Sequence, residues 1–156
     1  MKQLDLTYFL SILFVALTLA PSAAHLLELS NKISLSADDY LTVQQIYRGW
    51  ALLGVVILGA VLSTAAHLTV LRLHRQPWLL AAVGLACLLA GQAVFWTFTF
   101  PANQETGNWT MLPENWTHLR EQWEYSHAAG ALLNLSAFVV LLWAALRRGG
   151  GPSRHS

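Results

Sequence analysis

Near the C-terminus, Trp116, Arg120, Trp123, His127 and Asn134 follow one another at intervals of 4, 3, 4 and 7 residues, so an α-helix would carry them all on one face. Aromatic anchoring at a membrane surface explains the tryptophans. It does not explain an imidazole one turn below a Trp and an Arg. Counting along the other apolar segments brings further polar groups to the same height: His25 and Glu28 after the first, Gln44, Gln45, Tyr47 and Arg48 before the second, and Gln92, Trp96 and Asn103 toward the end of the third. Ionisable groups are costly in a membrane and usually face the bundle interior, so His25, Glu28, Arg48, Arg120, Glu124 and His127 converging at one level would make a functional site.

Three chemistries fit this set. Glu124-x-x-His127, with His25-x-x-Glu28 as its reverse, has the spacing of carboxylate-bridged metal bundles, and a divalent metal at His25, Glu28, Glu124 and His127 is one reading. His25 and His127, one from each of two helices, could instead be axial ligands to a haem. Without any cofactor, His127 would act as base toward an acidic apolar substrate, a task suited to a group that titrates near neutral pH. Arg120 would hold the resulting anion and Trp123 and Trp96 would stack on its ring, with Trp116, Gln92 and Tyr47 as further contacts and Asn103 and His25 as supporting donors.

These residues need a scaffold, and the composition says which kind. The 156 residues are 55% hydrophobic and only 11% charged, with a mean hydropathy of +0.46, far from a soluble domain, where about a quarter of residues are charged. Four segments reach the roughly 20 apolar residues that cross a bilayer: about 6–24, 50–71, 78–98 and 125–146. They fill the chain as one membrane domain, 1–156. The net charge of +1 provides no basic face for nucleic acid.

The expected fold is all-α, an integral membrane four-helix up-and-down bundle. Lys2, Arg72, Arg75, Arg147, Arg148 and Arg154 fall at the termini and in the second connection, whereas Glu28, Asp38, Asp39, Glu105, Glu114, Glu121 and Glu124 fall around the first and third. That asymmetry places both termini of this multi-pass protein in the cytoplasm. The first segment also has features of a secretory signal, Lys2 and the small residues of "PSAA" before His25, but its apolar run exceeds the 7 to 15 residues typical of one. In the first connection, Ser36 or Asp38 would cap a short amphipathic helix holding Tyr40, Leu41, Val43, Ile46 and Tyr47. "LHRQP" is short enough to make the second and third spans antiparallel neighbours. Beyond Pro113 no helix breaker occurs before Gly130, so the fourth helix should start near 114 and, at about 50 Å, stand out of a hydrocarbon layer only about 30 Å thick. Small residues such as Gly59, Ala60, Gly84, Gly91 and Ala131 would let the helices approach closely, Cys87 is a packing residue, and His67, near the opposite end, is a hydrogen-bonded packing residue.

"HLLELSNKISLSADDYLTVQQIYRGWA", followed downstream by "NWTMLPENWTHLREQWEYSHAAG", resembles the anthrone-oxygenase-like family of small four-helix membrane proteins, most of whose bacterial members are known only as a domain of unknown function. The likeness covers nearly the whole chain and includes the pattern Trp116, Arg120, Trp123. In the turn after Trp123, where many members carry Asn and then Arg, this chain has Ser126, His127 and Gly130. The resemblance implies oxidation of an anthrone-like carbon acid by molecular oxygen with no cofactor, which matches the third chemistry. The expectation is therefore a bilayer-embedded oxidoreductase, oxygenase-like, acting on an apolar, aromatic small molecule. The competing class is a non-catalytic accessory or assembly protein that binds a protein partner, or another copy of itself, at its outer face. A transporter fits less well, since only Gln92 and Asn134 interrupt the middle of the membrane.

Overall fold

The computed structural model describes residues 2–149, with side chains through Arg147. The described residues are helical, with no strand. Helix α1 (Lys2–Lys32) leads through a capped turn into α2 (Ala37–Gln44), then through two 3-10 turns, Gln45–Tyr47 and Trp50–Leu53, into α3 (Gly54–Leu73). Helix α4 (Leu79–Val94) runs through a π-turn at Phe95–Thr99 directly into α5 (Phe100–Glu105), and α6 (Trp116–Gly149) completes the chain.

Four helical stretches are long and apolar enough to cross a membrane: Lys2–Lys32, Trp50–Leu73, Leu79–Glu105 and Trp116–Arg147. In the bundle, α1 packs on α3 and α6, and α4 packs on α3 and α6, so each long helix has its chain neighbours at its sides. This is the expected up-and-down four-helix arrangement, a polytopic membrane protein in contact with lipid. Large apolar side chains such as Phe9, Leu13, Val55, Leu62, Leu132 and Val139 lie exposed on its outside, while Ser11, Thr18, Thr64 and His67 are buried inside. A bilayer removes the hydrophobic drive between helices, so close approach of small residues takes over. A Cβ at Gly59 would run into the Phe14 ring, and one at Gly84 would lie 3.0 Å from Leu141.

Two helices extend further than the apolar runs imply. The first continues from residue 24 to Lys32, and the third continues from 98 to Glu105. Pro21 lies inside α1. Having no N–H, it leaves the Leu17 carbonyl unbonded within the helix, and Leu17 and Pro21 both line a cavity, where irregular backbone is tolerated. Pro101 sits in the first turn of α5, where a missing N–H costs least, just after the π-turn. Ser36 caps α2, its Oγ accepting from the Asp39 amide at 3.3 Å. Helix α6 begins at Trp116, close to the position expected.

Two clusters hold the bundle. One comprises Val15, Ala60, Leu88, Ala137 and Leu141 in mid-bundle; the other, at the end that carries α2, comprises Tyr40, Ala102, Trp109, Leu119 and Trp123. The opposite end carries the basic residues: Arg72 lies over the Trp78 ring at 4.9 Å and Arg147 over Trp143 at 5.2 Å. Arg154 and the side chain of Arg148 lie outside the described residues. His67 is buried there, its Nδ1 3.0 Å from Thr7 Oγ1 and its ring 4.9 Å from Tyr8, a packed and hydrogen-bonded role as expected.

Candidate functional site

Between the two clusters lies a cavity of about 590 Å³. On α1, Thr18, Ser22 and His25 follow at helical spacing and face it; on α6, Trp123, His127, Gly130 and Asn134 do the same. These stripes meet where the His25 and His127 rings stack, centroids 4.1 Å apart and planes at 26°. The pair is walled by aromatics. The Trp123 ring is steeply inclined to His127, centroids 4.1 Å apart, and nearly perpendicular to His25 at 5.1 Å, and His25 also contacts Tyr47 at 4.5 Å and Trp50 at 5.5 Å. His25 is only 6% exposed, and its Nδ1 has no hydrogen-bond partner. Buried polar atoms are nearly always paired, so a closed-off imidazole nitrogen without a partner, on a residue that borders a cavity, is a departure from that rule.

The third wall rises from α4 through the π-turn into α5. Gln92, Phe95, Thr99 and Asn103 line it. Ser126 donates its hydroxyl to the Trp123 carbonyl at 2.9 Å, so Thr99 supplies the proton in the 2.7 Å Thr99–Ser126 hydrogen bond. One turn higher, the Trp123 indole donates to Asn103 Oδ1 at 2.8 Å and leaves the Asn103 amide hydrogens uncommitted. Gly107, Asn108 and Trp109 form a turn with three successive left-handed residues, φ 56°, 56° and 61°. A tryptophan in that region costs on the order of 1–3 kcal/mol and persists only when its surroundings fix it. Here Trp109 is buried against Tyr40 at 5.0 Å, its amide donates to Thr106 Oγ1 at 3.1 Å, and its carbonyl accepts from Gln45 at 3.1 Å. Asn108 and Thr110 are thereby held at the cavity wall.

Behind Trp123 and Tyr47 lies a charged cluster in which Glu28 and Glu124, both named from the sequence, gather around Lys32, which the sequence reading did not identify. Lys32 is 3% exposed, with its Nζ 3.1 Å from Glu124 Oε1, 2.9 Å from the Tyr47 hydroxyl, 3.3 Å from Gln44 Oε1 and 3.8 Å from Glu28. Tyr40 donates to Glu124 at 2.9 Å and accepts from Gln44 at 2.8 Å, and Tyr47 donates to Glu28. The ammonium also lies 4.4 Å from the Tyr47 ring centroid and 4.7 Å from that of Trp123. Lys32 follows His25 by seven residues, two helical turns on the same face, and that spacing is the signal that reveals it once α1 is extended.

The expected site residues therefore divide. His25, His127, Trp123, Tyr47, Gln92 and Asn103 come together at the cavity. Arg120 does not: its Nη1 donates to the Leu35 carbonyl at 2.8 Å and its guanidinium lies 4.7 Å from the Trp116 ring, so Arg120 and Trp116 together pin the chain leading into α2. Trp96 is 59% exposed on the outside of the bundle, and its neighbour Phe95 takes the wall position. The arginine that does border the cavity is Arg48, an exposed residue whose Nη2 donates to Gln45 Oε1 at 2.7 Å.

The placement also bears on the cofactor readings. Glu28 and Glu124 turn toward Lys32 rather than toward the imidazoles, so the four residues considered for a divalent metal do not form one donor set. A haem would have to lie between two rings that each point a nitrogen at its iron, whereas these rings lie face to face at 4.1 Å, and the residues as arranged do not fit it.

Burial holds the Tyr40 hydroxyl well above the ordinary tyrosine range, with the Glu124 carboxylate adding to the shift; burial does the same for Tyr47, with its hydrogen bond to Glu28 adding. Because the folded values are raised, the stability these tyrosines contribute is complete below the unfolded value near 10 and declines as pH climbs from there toward the folded values. An ultraviolet absorbance titration of the folded protein should show at least two of its four tyrosines still un-ionised well above about pH 10. Joint ionisation of all four near the ordinary value would contradict the buried network.

No protein family, curated protein or solved structure matches the chain.

Proposed function

We propose that the protein is a membrane-embedded, cofactor-independent oxygenase that takes an apolar aromatic carbon acid from the bilayer and oxidises it with molecular oxygen. The observation that carries this reading is the stacked His25–His127 pair, with its orphaned nitrogen, in a cavity walled by Trp123, Phe95, Trp50 and Tyr47. His127 is the base. It removes a proton from a CH2 group of the bound ring system, and the resulting enolate is held by the Arg48 guanidinium and the free amide hydrogens of Asn103. The enolate transfers electrons to O2, forming a C–O bond, and a proton completes a hydroperoxide. Loss of the second proton from the same carbon breaks the O–O bond, leaving a carbonyl and one water, so one O2 is consumed per CH2 converted to C=O. The site faces outward in this reading, since Lys2, Arg72, Arg75 and Arg147 occupy the opposite end of the bundle.

The test uses the full chain in lipid nanodiscs with anthrone as the probe under ¹⁸O2. The expected result is anthraquinone formation well above that in empty nanodiscs, with one labelled oxygen in the product and one in water. Oxidation no faster than in empty nanodiscs, with no anthrone retained by the protein, would overturn the proposal.

A further inference from the structure

Below the histidine pair, the cavity ends at a second group of polar atoms that the proposed chemistry does not use. Asn134 lies seven residues beyond His127 on α6, about 10 Å deeper along the helix. Gly91 on α4 is level with it, since a Cβ there would lie 3.8 Å from Asn134 Oδ1, and the next residue is Gln92. Both amides line the cavity.

Their hydrogen bonding is incomplete in a specific way. Ser22 and Thr18 spend their hydroxyl protons on their own helix, on the Thr18 carbonyl at 2.9 Å and the Phe14 carbonyl at 2.9 Å. Ser22 Oγ can therefore only accept, and it accepts from Asn134 Nδ2 at 2.8 Å. That bond fixes the Asn134 amide and leaves its Oδ1 as an acceptor on the α4 side. The Gln92 side chain has no hydrogen-bond partner among the described residues, so its amide offers both a donor and an acceptor. At this depth water is scarce, so an unpaired amide is costly. Between the two levels the path is clear: Gly130 has nothing within 4 Å of where its Cβ would be, and Phe95 lies on the α4 side as a flat wall.

We infer that Gln92 and Asn134 form a second polar subsite, and that the ligand is a rigid, rod-shaped aromatic molecule with a hydrogen-bonding oxygen at each end, one at the histidine pair and a hydroxyl at the amide floor. A hydroxyl satisfies both amides at once, donating to Asn134 Oδ1 and accepting from Gln92 Nε2. A carbonyl would satisfy Gln92 alone. The inference rests on the cavity being a ligand site.

The experiment compares 4-hydroxybiphenyl with 4,4′-dihydroxybiphenyl by equilibrium dialysis against the full chain in nanodiscs, with partitioning into empty nanodiscs subtracted. Wild-type protein is expected to bind the diol about tenfold more tightly than the mono-ol, the size of one additional buried hydrogen-bonded contact. Gln92→Leu is expected to bring the diol down to the affinity of the mono-ol, and Asn134→Ala, a second route to the same loss, to do likewise. Equal binding of the two probes by wild-type protein overturns the subsite and leaves the proposed function standing. Failure of both probes to bind overturns the subsite together with the ligand site on which it rests.

Discussion

His127→Gln is expected to slow oxidation of anthrone by about 10²- to 10⁴-fold, the usual contribution of a positioned general base. Glutamine occupies nearly the same volume and keeps a hydrogen-bonding group, so the Trp123 and His25 rings retain a neighbour while the basic nitrogen is lost. The measurement is oxygen uptake in nanodiscs with probe binding recorded in parallel. A variant that still binds the probe and no longer consumes oxygen identifies His127 as the base. Undiminished oxygen uptake would remove it from that role. Arg120→Gln supplies the contrast: its guanidinium holds the Leu35 carbonyl rather than the cavity, so its loss should appear in thermal stability.

Lys32→Met is expected to cost about 3–5 kcal/mol, because it leaves the Glu124 carboxylate, itself wholly buried, without its cation. For a chain of this size that is a fall in melting temperature of roughly 10 °C, measurable in mild detergent. The pair is cross-braced by Tyr40, Gln44 and Tyr47, so the loss should spread to the α2 connection. Adding Glu124→Gln removes the uncompensated charge, and the double variant should recover at least half of the lost stability. Purely additive losses would mean that the two groups do not act as a pair.

The architecture was legible because a bilayer makes it so: four apolar runs of sufficient length, a five-residue connection and a proline-bounded loop leave few arrangements. The meeting of His25 and His127 was legible for a related reason, since height along a helix follows from counting. Azimuth was harder. From Gln92, Phe95 at three residues on and Trp96 at four both lie near the same face, and the π-turn that begins at Phe95 alters the rotation, so the larger ring was expected inside and lies outside. Arg120 falls on the periodic stripe of α6, yet the chain before α2 comes within its reach and claims it. Lys32 was missed because the apolar run of α1 stops near residue 24 while the helix does not. Its partners come from α2, the following 3-10 turn and α6, a closure set by tertiary geometry with no periodic trace.

The plug of Val15, Ala60, Leu88 and Ala137 under the chamber gives the molecule a blind end. Whatever arrives must depart by the side it came from, and protons released in the chamber return to that same side. In the proposed reaction no charge would complete a journey across the bilayer, so turnover would be electrically silent, and the voltage that drives pumps and carriers would have no purchase on it.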